Sequence, residues 1–429
     1  LGNQSTLSDA TIAALVELFK DEDSYVRRSA ANALGNQSTL SDTTIAALIE
    51  LFKDEDSSIR RSVAKAIGNQ STLLDATIAA LIELVKDEDS SVRRSAANAL
   101  GKQSTLSDTT VAALIELFKD EDRDVRRSTA NALGNQSTLS DATIAALVEL
   151  FKDEDRDVRR SAANALGNQS TLSDATIAAL VELFKDEDSY VRWSAANALG
   201  NQSTLSDATI AALVELFKDE DSNVQGSAAD TLGNQSTLSD VTIAALVELY
   251  KDKDSYVRRS TARAIGNKST LSDATVAALV ELFKDEDSYV RRSAANALGN
   301  QSTLSDTTIA ALMELYKDED SYVRSSAADA LGNQSTLSDA TIAALMELFK
   351  DKDSSVRWSA TNAIGKQSTL SDATMAALVE LCKDEDSDVR SSAARAIGNQ
   401  STLSHIILDA LAIRVQPDEH VLSVPGYVY

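Results

Sequence analysis

One stretch of 33 residues recurs from end to end of the chain, and nothing else in the sequence limits the fold as strongly. Its first copy, residues 1–33, reads LGNQSTLSDATIAALVELFKDEDSYVRRSAANA. The unit restarts with Leu-Gly or Ile-Gly at Leu34, Ile67, Leu100, Leu133, Leu166, Leu199, Leu232, Ile265, Leu298, Leu331, Ile364 and Ile397, always 33 residues on. Twelve complete copies fill residues 1–396, and a thirteenth begins at Ile397 and departs after Ser404. A fixed period of this size marks a stacked array.

Each unit reads as two helices. In copy one, Ile12, Leu15, Val16 and Phe19 fall at i, i+3, i+4 and i+7, one apolar helical stripe. Ser8 is the expected N-cap, with Asp9 complementing the positive helix end. Copy three has Leu74 at the cap position, so Asp75 is expected to cap there. The helix should stop near Lys20, where Asp21-Glu22-Asp23 begins a polar turn. Asp23 is the expected N-cap of a second helix, whose buried stripe is Val26, Ala30, Ala33 and Leu34. Gly35 is expected just past its end in a left-handed conformation. Asn36, Gln37, Ser38 and Thr39 form a polar loop to the next unit. The complete copies lack proline and strand-like alternation, so each is a helical hairpin. One hairpin cannot bury its stripe alone; stacked neighbours do so.

A 33-residue period suggests ankyrin, but the T-P-L-H-x-A signature is missing. In Asp21, Val26-Arg27, Ala30 and Ala33-Leu34-Gly35 the unit resembles the HEAT repeats, in the short form also seen in phycobilin-lyase-like HEAT proteins. The resemblance covers residues 1–396. It implies an all-α, right-handed α-solenoid of about twelve 33-residue helical hairpins plus a divergent C-terminal unit, residues 397–429. It also implies a hydrogen-bonded ladder between successive repeats, made by Asp21 and Arg27 and their equivalents, such as Asp54 with Arg60. Two departures stand out: the unit is shorter than the ~40–47 residues usual for HEAT, and its first helix lacks a proline kink. With helices ~8–10 Å apart, twelve units would give a body on the order of 100 Å long.

The net charge of −25 comes with the repeat. Asp9, Glu17, Asp21, Glu22 and Asp23 outweigh Lys20, Arg27 and Arg28, so each unit carries about −2. The acids gather in the Lys-Asp-Glu-Asp turn, which predicts an acidic ridge. Capping and solubility account for it, with a basic-partner or cation site as the alternative. The turns lack the glycine and bidentate glutamate of an EF-hand loop. The single cysteine, Cys382, holds the Phe19 position and reads as a small buried hydrophobe. Apolar runs are far too short to span a bilayer, and no membrane partner is expected.

The Asn-x-Ser loops read as glycosylation sequons at Asn3, Asn36, Asn69, Asn135, Asn168, Asn201, Asn234, Asn267, Asn300, Asn333 and Asn399. The simpler reading is a cytoplasmic loop whose triplet was duplicated with the unit. The chain starts without methionine and in mid-unit, so it is expected to be part of a larger chain.

Most positions are nearly fixed across copies. Variation gathers at the equivalents of Tyr25, Arg28 and Asn32, which share one face of the second helix. That face carries the candidate partner-binding residues Tyr25, Arg28, Tyr190, Trp193, Tyr256, Arg259, Arg263, Tyr289, Arg292, Tyr322 and Trp358. Tyr, Trp and Arg are enriched at interface hot spots. In HEAT-like arrays the second helix lines the concave surface. The functional reading is therefore a groove for a protein or peptide; the alternative is drift at exposed positions.

Chemistry is not visible in the sequence. Both histidines, His405 and His420, lie in the divergent tail, and there is no Ser/His/Asp set, Cys/His cluster or Gly-rich phosphate loop. The chain is expected to be no enzyme, with no cofactor and no metal site. By resemblance two alternatives remain: an enzyme of the phycobilin-lyase kind, and a nucleic-acid-backbone binder tracking the Arg28-type stripe, which the net charge opposes. Near-identical HEAT-like copies also occur as sensor arrays of large signalling proteins. In the tail, Leu408, Leu411, Ala412 and Val415 keep a first-helix stripe, while Pro417 and Pro425 forbid a normal second helix. The tail reads as an irregular terminal cover or as unselected sequence after a broken repeat.

Copy seven reads as the weak joint. Gln225 replaces the ladder arginine, Gly226 sits inside the helix and Thr231 replaces a buried alanine. Faster amide exchange is expected across residues 222–231 than across the matching 189–198, with arginine at 225 and 226 and alanine at 231 erasing the difference.

Overall fold

The computed structural model describes residues 7–400. Among them lie twenty-four α-helices, paired as twelve hairpins, and no strand. The tail from His405 onward, with its expected cover, lies outside the described residues. The chain divides into two compact units, residues 1–212 and 213–429. Within each unit the hairpins stack as an α-solenoid, second helix against second helix and first against first.

Copy two shows how the sequence makes a hairpin. Its first helix is Asp42–Glu50, capped by Ser41, whose Oγ accepts the Thr44 N–H at 3.3 Å. The final turn tightens into a 3₁₀ segment, Leu51–Lys53, which ends when the Asp54 N–H reaches the Leu51 carbonyl at 3.1 Å. Asp54 is extended, so the chain turns there. Asp56 then caps the second helix, Ser57–Gly68, by accepting the Ser58 N–H at 2.8 Å. Ile59, Val63, Ala66 and Ile67 are fully buried on its inner face. Each of the two isoleucines contributes roughly 1.5–3 kcal/mol by leaving water. In copy three Leu74 itself occupies the N-cap, with no side-chain acceptor. Asp75 is the first helical residue and does not cap, because its carboxylate lies one position too far along to reach the orphan N–H groups.

The glycine closing each second helix has a different role from the expected one. Gly35 is the last helical residue, and the following Asn36 is right-handed at φ −86°. A Cβ on Gly35 would lie 2.8 Å from both Cα and Cβ of Ala66 in the next second helix. Contact between helix backbones, and not a left-handed turn, requires the missing side chain.

The turn edge carries the ladder, and it runs from copy to copy. Arg60 donates from Nη1 to the carbonyls of Asp54 and Glu55, at 2.8 and 3.2 Å, bracing its own turn. Its Nε and Nη2 then reach the carboxylate of Asp87 in the next copy, at 2.7 and 2.8 Å. The expected partner of Arg60, Asp54, thus supplies a backbone carbonyl, while its carboxylate receives Arg27 at 2.8 and 3.0 Å. The same bidentate pair joins Arg93 to Asp120, Arg126 to Asp153, Arg159 to Asp186, Arg258 to Asp285, Arg291 to Asp318, Arg324 to Asp351 and Arg357 to Asp384. Burial pushes the Asp54 carboxyl up, but the hydrogen bonds from Arg27 and the Asp56 N–H outweigh it and hold the group below its usual range.

The opposite edge carries a second, amide ladder. Gln70 Nε2 donates to the Gln37 carbonyl at 3.2 Å, while its Oε1 accepts the Leu40 N–H at 2.8 Å. Gln136, Gln169 and Gln202 repeat the first bond, and Gln301, Gln334 and Gln367 do so in the second unit. Asn69 Nδ2 donates to the Gly35 carbonyl at 3.0 Å, satisfying a helix-end acceptor. Where lysine replaces the glutamine, at Lys268, its Nζ bonds the carbonyls of Leu232, Gly233 and Gln235.

Copy seven keeps its second helix intact as Ser222–Gly233. Gln225 Nε2 reaches the Asp219 carbonyl at 2.7 Å, as the arginine would. It does not span to Asp252, which keeps only the Asp254 N–H bond at 2.8 Å that the other ladder aspartates also make, so the ladder is interrupted there. Gly226 is filled in by its neighbour. A Cβ there would overlap Cε1 of Tyr256, whose ring lies over the glycine. Asp230 pairs with Arg263 of the next copy, Nε at 3.2 Å and Nη2 at 2.5 Å. Restoring arginine at 226 would therefore displace Tyr256, a cost the sequence did not show.

Two outcomes follow from the ladder. Arg60→Ala should destabilise by ~1.5–3 kcal/mol, because a buried carboxylate loses its partner, whereas Arg61→Ala should cost under about 0.5 kcal/mol. Chemical denaturation of the two variants checks this, and equal shifts would refute it. Gln225→Arg should slow amide exchange across residues 222–231 and stabilise by ~1–2 kcal/mol, while Gly226→Arg should do neither. Hydrogen exchange with mass spectrometry separates the two; equal protection in both variants would remove the ladder explanation of copy seven.

Candidate functional site

The turn and loop edges repeat because they hold the copies together. The outward stripe of the second helices is where the copies differ. An N-cap aspartate positions the first stripe residue of each helix: Asp287 accepts the Tyr289 N–H at 2.8 Å and Asp320 that of Tyr322 at 2.8 Å. The tyrosine therefore begins the helix and projects from it.

The stripe residues fall into distinct arrangements. Tyr25, Tyr190, Tyr289 and Tyr322 are exposed, at 68%, 57%, 59% and 60%. The Arg28 guanidinium lies 4.2 Å from the centre of the Tyr25 ring. In the second unit Arg259 lies between two rings, 5.2 Å from Tyr256 and 5.8 Å from Tyr289. Arg292 lies 5.2 Å from Tyr322. Aromatic and guanidinium groups thus alternate across copies eight, nine and ten, each pair a cation–π contact.

Other candidates are occupied by the fold. Trp358 is half-buried, packed against the hydrophobic core around Val356 and Leu378, and Trp193 is half-buried as well. Tyr256 is half-buried over Gly226. Arg263 is exposed, with its charge met by Asp230. Burial pushes the Asp230 carboxyl up against the pull of Arg263.

In copies three to five the same stripe neutralises itself. Asp124 accepts from Arg94 of the preceding copy and from Arg127 of its own, each at 3.1 Å. Arg160 meets Asp157 at 3.1 Å. Asp124 with Arg127 and Asp157 with Arg160 were visible in the sequence as opposite charges three residues apart; Asp230 and Arg263 were visible as opposite changes in consecutive copies. The Gln and Asn ladders had only their near-constant recurrence to betray them.

On the acidic ridge the Lys20-type lysines pair with Glu17-type glutamates, at 3.1 Å in copy one. Copies four and five add Arg123–Asp155 and Arg156–Asp188, at 2.9 and 2.8 Å. Cys382 is half-buried against the same core as Trp358. Among the described residues no group of three or more His, Cys, Asp or Glu could hold a metal ion, and no helix is long and apolar enough to cross a membrane.

The family model describing HEAT repeats matches residues 2–68, 45–134, 78–167, 111–200, 144–233, 177–266, 243–332 and 309–398. No curated protein matches the chain. Among solved structures it is similar to Kap95p in a complex with RanGDP, at 14% identity over 95% of this chain and 62% of that one, with a TM-score of 0.63. It is similar also to a Kap121p mutant, at 16% identity, 96% and 52% coverage and a TM-score of 0.60. For Kap121p bound to Ste12p the figures are 14%, 94%, 51% and 0.57. The chain spans less than two thirds of each of these proteins. At such identities the likeness speaks for the fold.

Proposed function

The chain belongs to the HEAT-repeat family, and from that premise we propose that it is a scaffold that binds a protein or peptide on the stripe of its second helices. One observation carries the reading. The stripe is the part of the unit that varies between copies, and it displays exposed tyrosines next to arginines while both edges repeat. Large rigid aromatics with guanidinium neighbours are what interface anchors are made of. The solved relatives support it at the level of fold: Kap121p is seen bound to Ste12p, and Kap95p binds RanGDP. A non-enzymatic role and a cytoplasmic location belong to the same proposal.

Affinity capture from cytosolic extract with the whole chain as bait tests this. A protein should be retained, and Tyr289→Ala with Tyr322→Ala should weaken retention by roughly tenfold or more without lowering the melting temperature. Retention unchanged by the double variant would move binding off the stripe, and a glycan-dependent mass shift would contradict the location.

A further inference from the structure

We propose that the stripe from Tyr256 to Tyr322, in copies eight to ten, is a docking strip for an acidic peptide, whose carboxylates are taken by Arg259 and Arg292. This rests on the scaffold reading and adds the chemistry of the partner and its position.

Copies three and four show what a pair of stripe arginines binds. Arg94 and Arg127, from successive copies, close on the Asp124 carboxylate from two sides at 3.1 Å each. Five copies further on, Arg259 and Arg292 hold the equivalent places, and Tyr289 stands where Asp124 would be. The carboxylate is gone and both guanidiniums remain. Arg259 stacks on Tyr256 and Tyr289, and Arg292 on Tyr322. Two carboxylates lie within electrostatic range: Asp230, which pairs with Arg263, and Asp329, whose carboxyl is pushed up by burial. Neither arginine has an ion pair among the described residues, and Arg259 Nε is buried without a hydrogen-bond partner. Arg28 and Arg61 also lack an ion pair among the described residues, but only Arg259 and Arg292 stand in a run of three stripe tyrosines from consecutive copies.

Stacking fixes each guanidinium by its face and leaves its two terminal Nη groups for an acceptor, since Arg259 Nε is buried. That end matches a carboxylate with two parallel hydrogen bonds. Second helices sit ~8–10 Å apart, and same-side residues of an extended peptide repeat at about 7 Å. Glutamate and arginine side chains are long enough to absorb the difference. The overall charge favours a short peptide over nucleic acid. Close pairs survive within a Debye length of about 8 Å, whereas a continuous phosphate backbone meets the field of the whole acidic array.

Fluorescence anisotropy with the whole chain tests the proposal. The probes are a labelled extended peptide with glutamate at alternate positions, the same peptide with glutamine or with lysine there, and an oligothymidine. The glutamate peptide should bind and the glutamine peptide should not. Arg259→Gln with Arg292→Gln should weaken binding by roughly tenfold or more, while Arg94→Gln with Arg127→Gln leaves it unchanged. Tyr289→Asp, which keeps both arginines and restores the internal carboxylate, should block the peptide as strongly. Failure of the glutamate peptide to bind, or indifference to both the arginine and the Tyr289 changes, overturns the proposal. Binding of the lysine peptide alone overturns it and leaves the scaffold reading standing. Oligothymidine binding through these arginines, with no peptide bound, overturns both.

Discussion

The array depends on an arginine that belongs to two copies at once. Arg60 ties its own turn by two backbone carbonyls and takes the carboxylate of Asp87 from the next copy with two further bonds. The guanidinium's planar fork makes both sets possible without strain. Burial makes the arrangement demanding: a charge removed from water is tolerated only if fully paired. A copy that loses its neighbour strands an arginine or an aspartate as well as exposing its apolar stripe. Stability is therefore a property of neighbouring pairs, as stacked arrays require. The glycine at the end of each second helix serves the same end, letting helix backbones meet where Ala66 touches Gly35.

Because both edges are committed to holding copies together, the second-helix stripe is left to differ. It differs in kind as well as in sequence. In copies three to five it cancels its own charge through Asp124 and Asp157. In copies eight to ten it sets tyrosine beside arginine with the carboxylate removed. The junction of copies seven and eight shows how such variation is absorbed: Tyr256 fills the space over Gly226, and Arg263 answers Asp230.

The hairpins and the Ser and Asp caps were legible in the sequence because each is a local pattern that recurs in nearly every copy, while the arginine–aspartate ladder was expected from the resemblance to HEAT repeats. Other features depend on distances between copies that no single unit contains. Gly35 looks like a helix stop until Ala66 is placed against it. Gln37 and Asn36 look like ordinary loop residues until their equivalents are seen bonding the preceding copy. Trp358 shares a stripe with exposed tyrosines yet packs inward, since side-chain length and rotamer decide what a shared face does not. The stripe itself was legible as a zone of variation; which of its arginines lack a carboxylate partner required the structure.

The most direct test of the ladder is acid titration of stability. Asp318 and Asp351 are half-buried, and against the upward push of burial the hydrogen bonds from Arg291 and Arg324 hold them below their usual range. A carboxyl held lower in the folded state contributes stability that is present above its unfolded value near 3.9 and lost as pH falls through the folded value. Asp230 and Asp329, held high by burial, change in the opposite sense and are common to both proteins compared. Unfolding free energy measured from about pH 6 down to about pH 3, for the parent chain and for Arg291→Gln with Arg324→Gln, isolates the ladder. The parent should lose more stability over that range, so that the two curves converge at low pH. Parallel curves would show that these arginines do not hold the copies together through their aspartates.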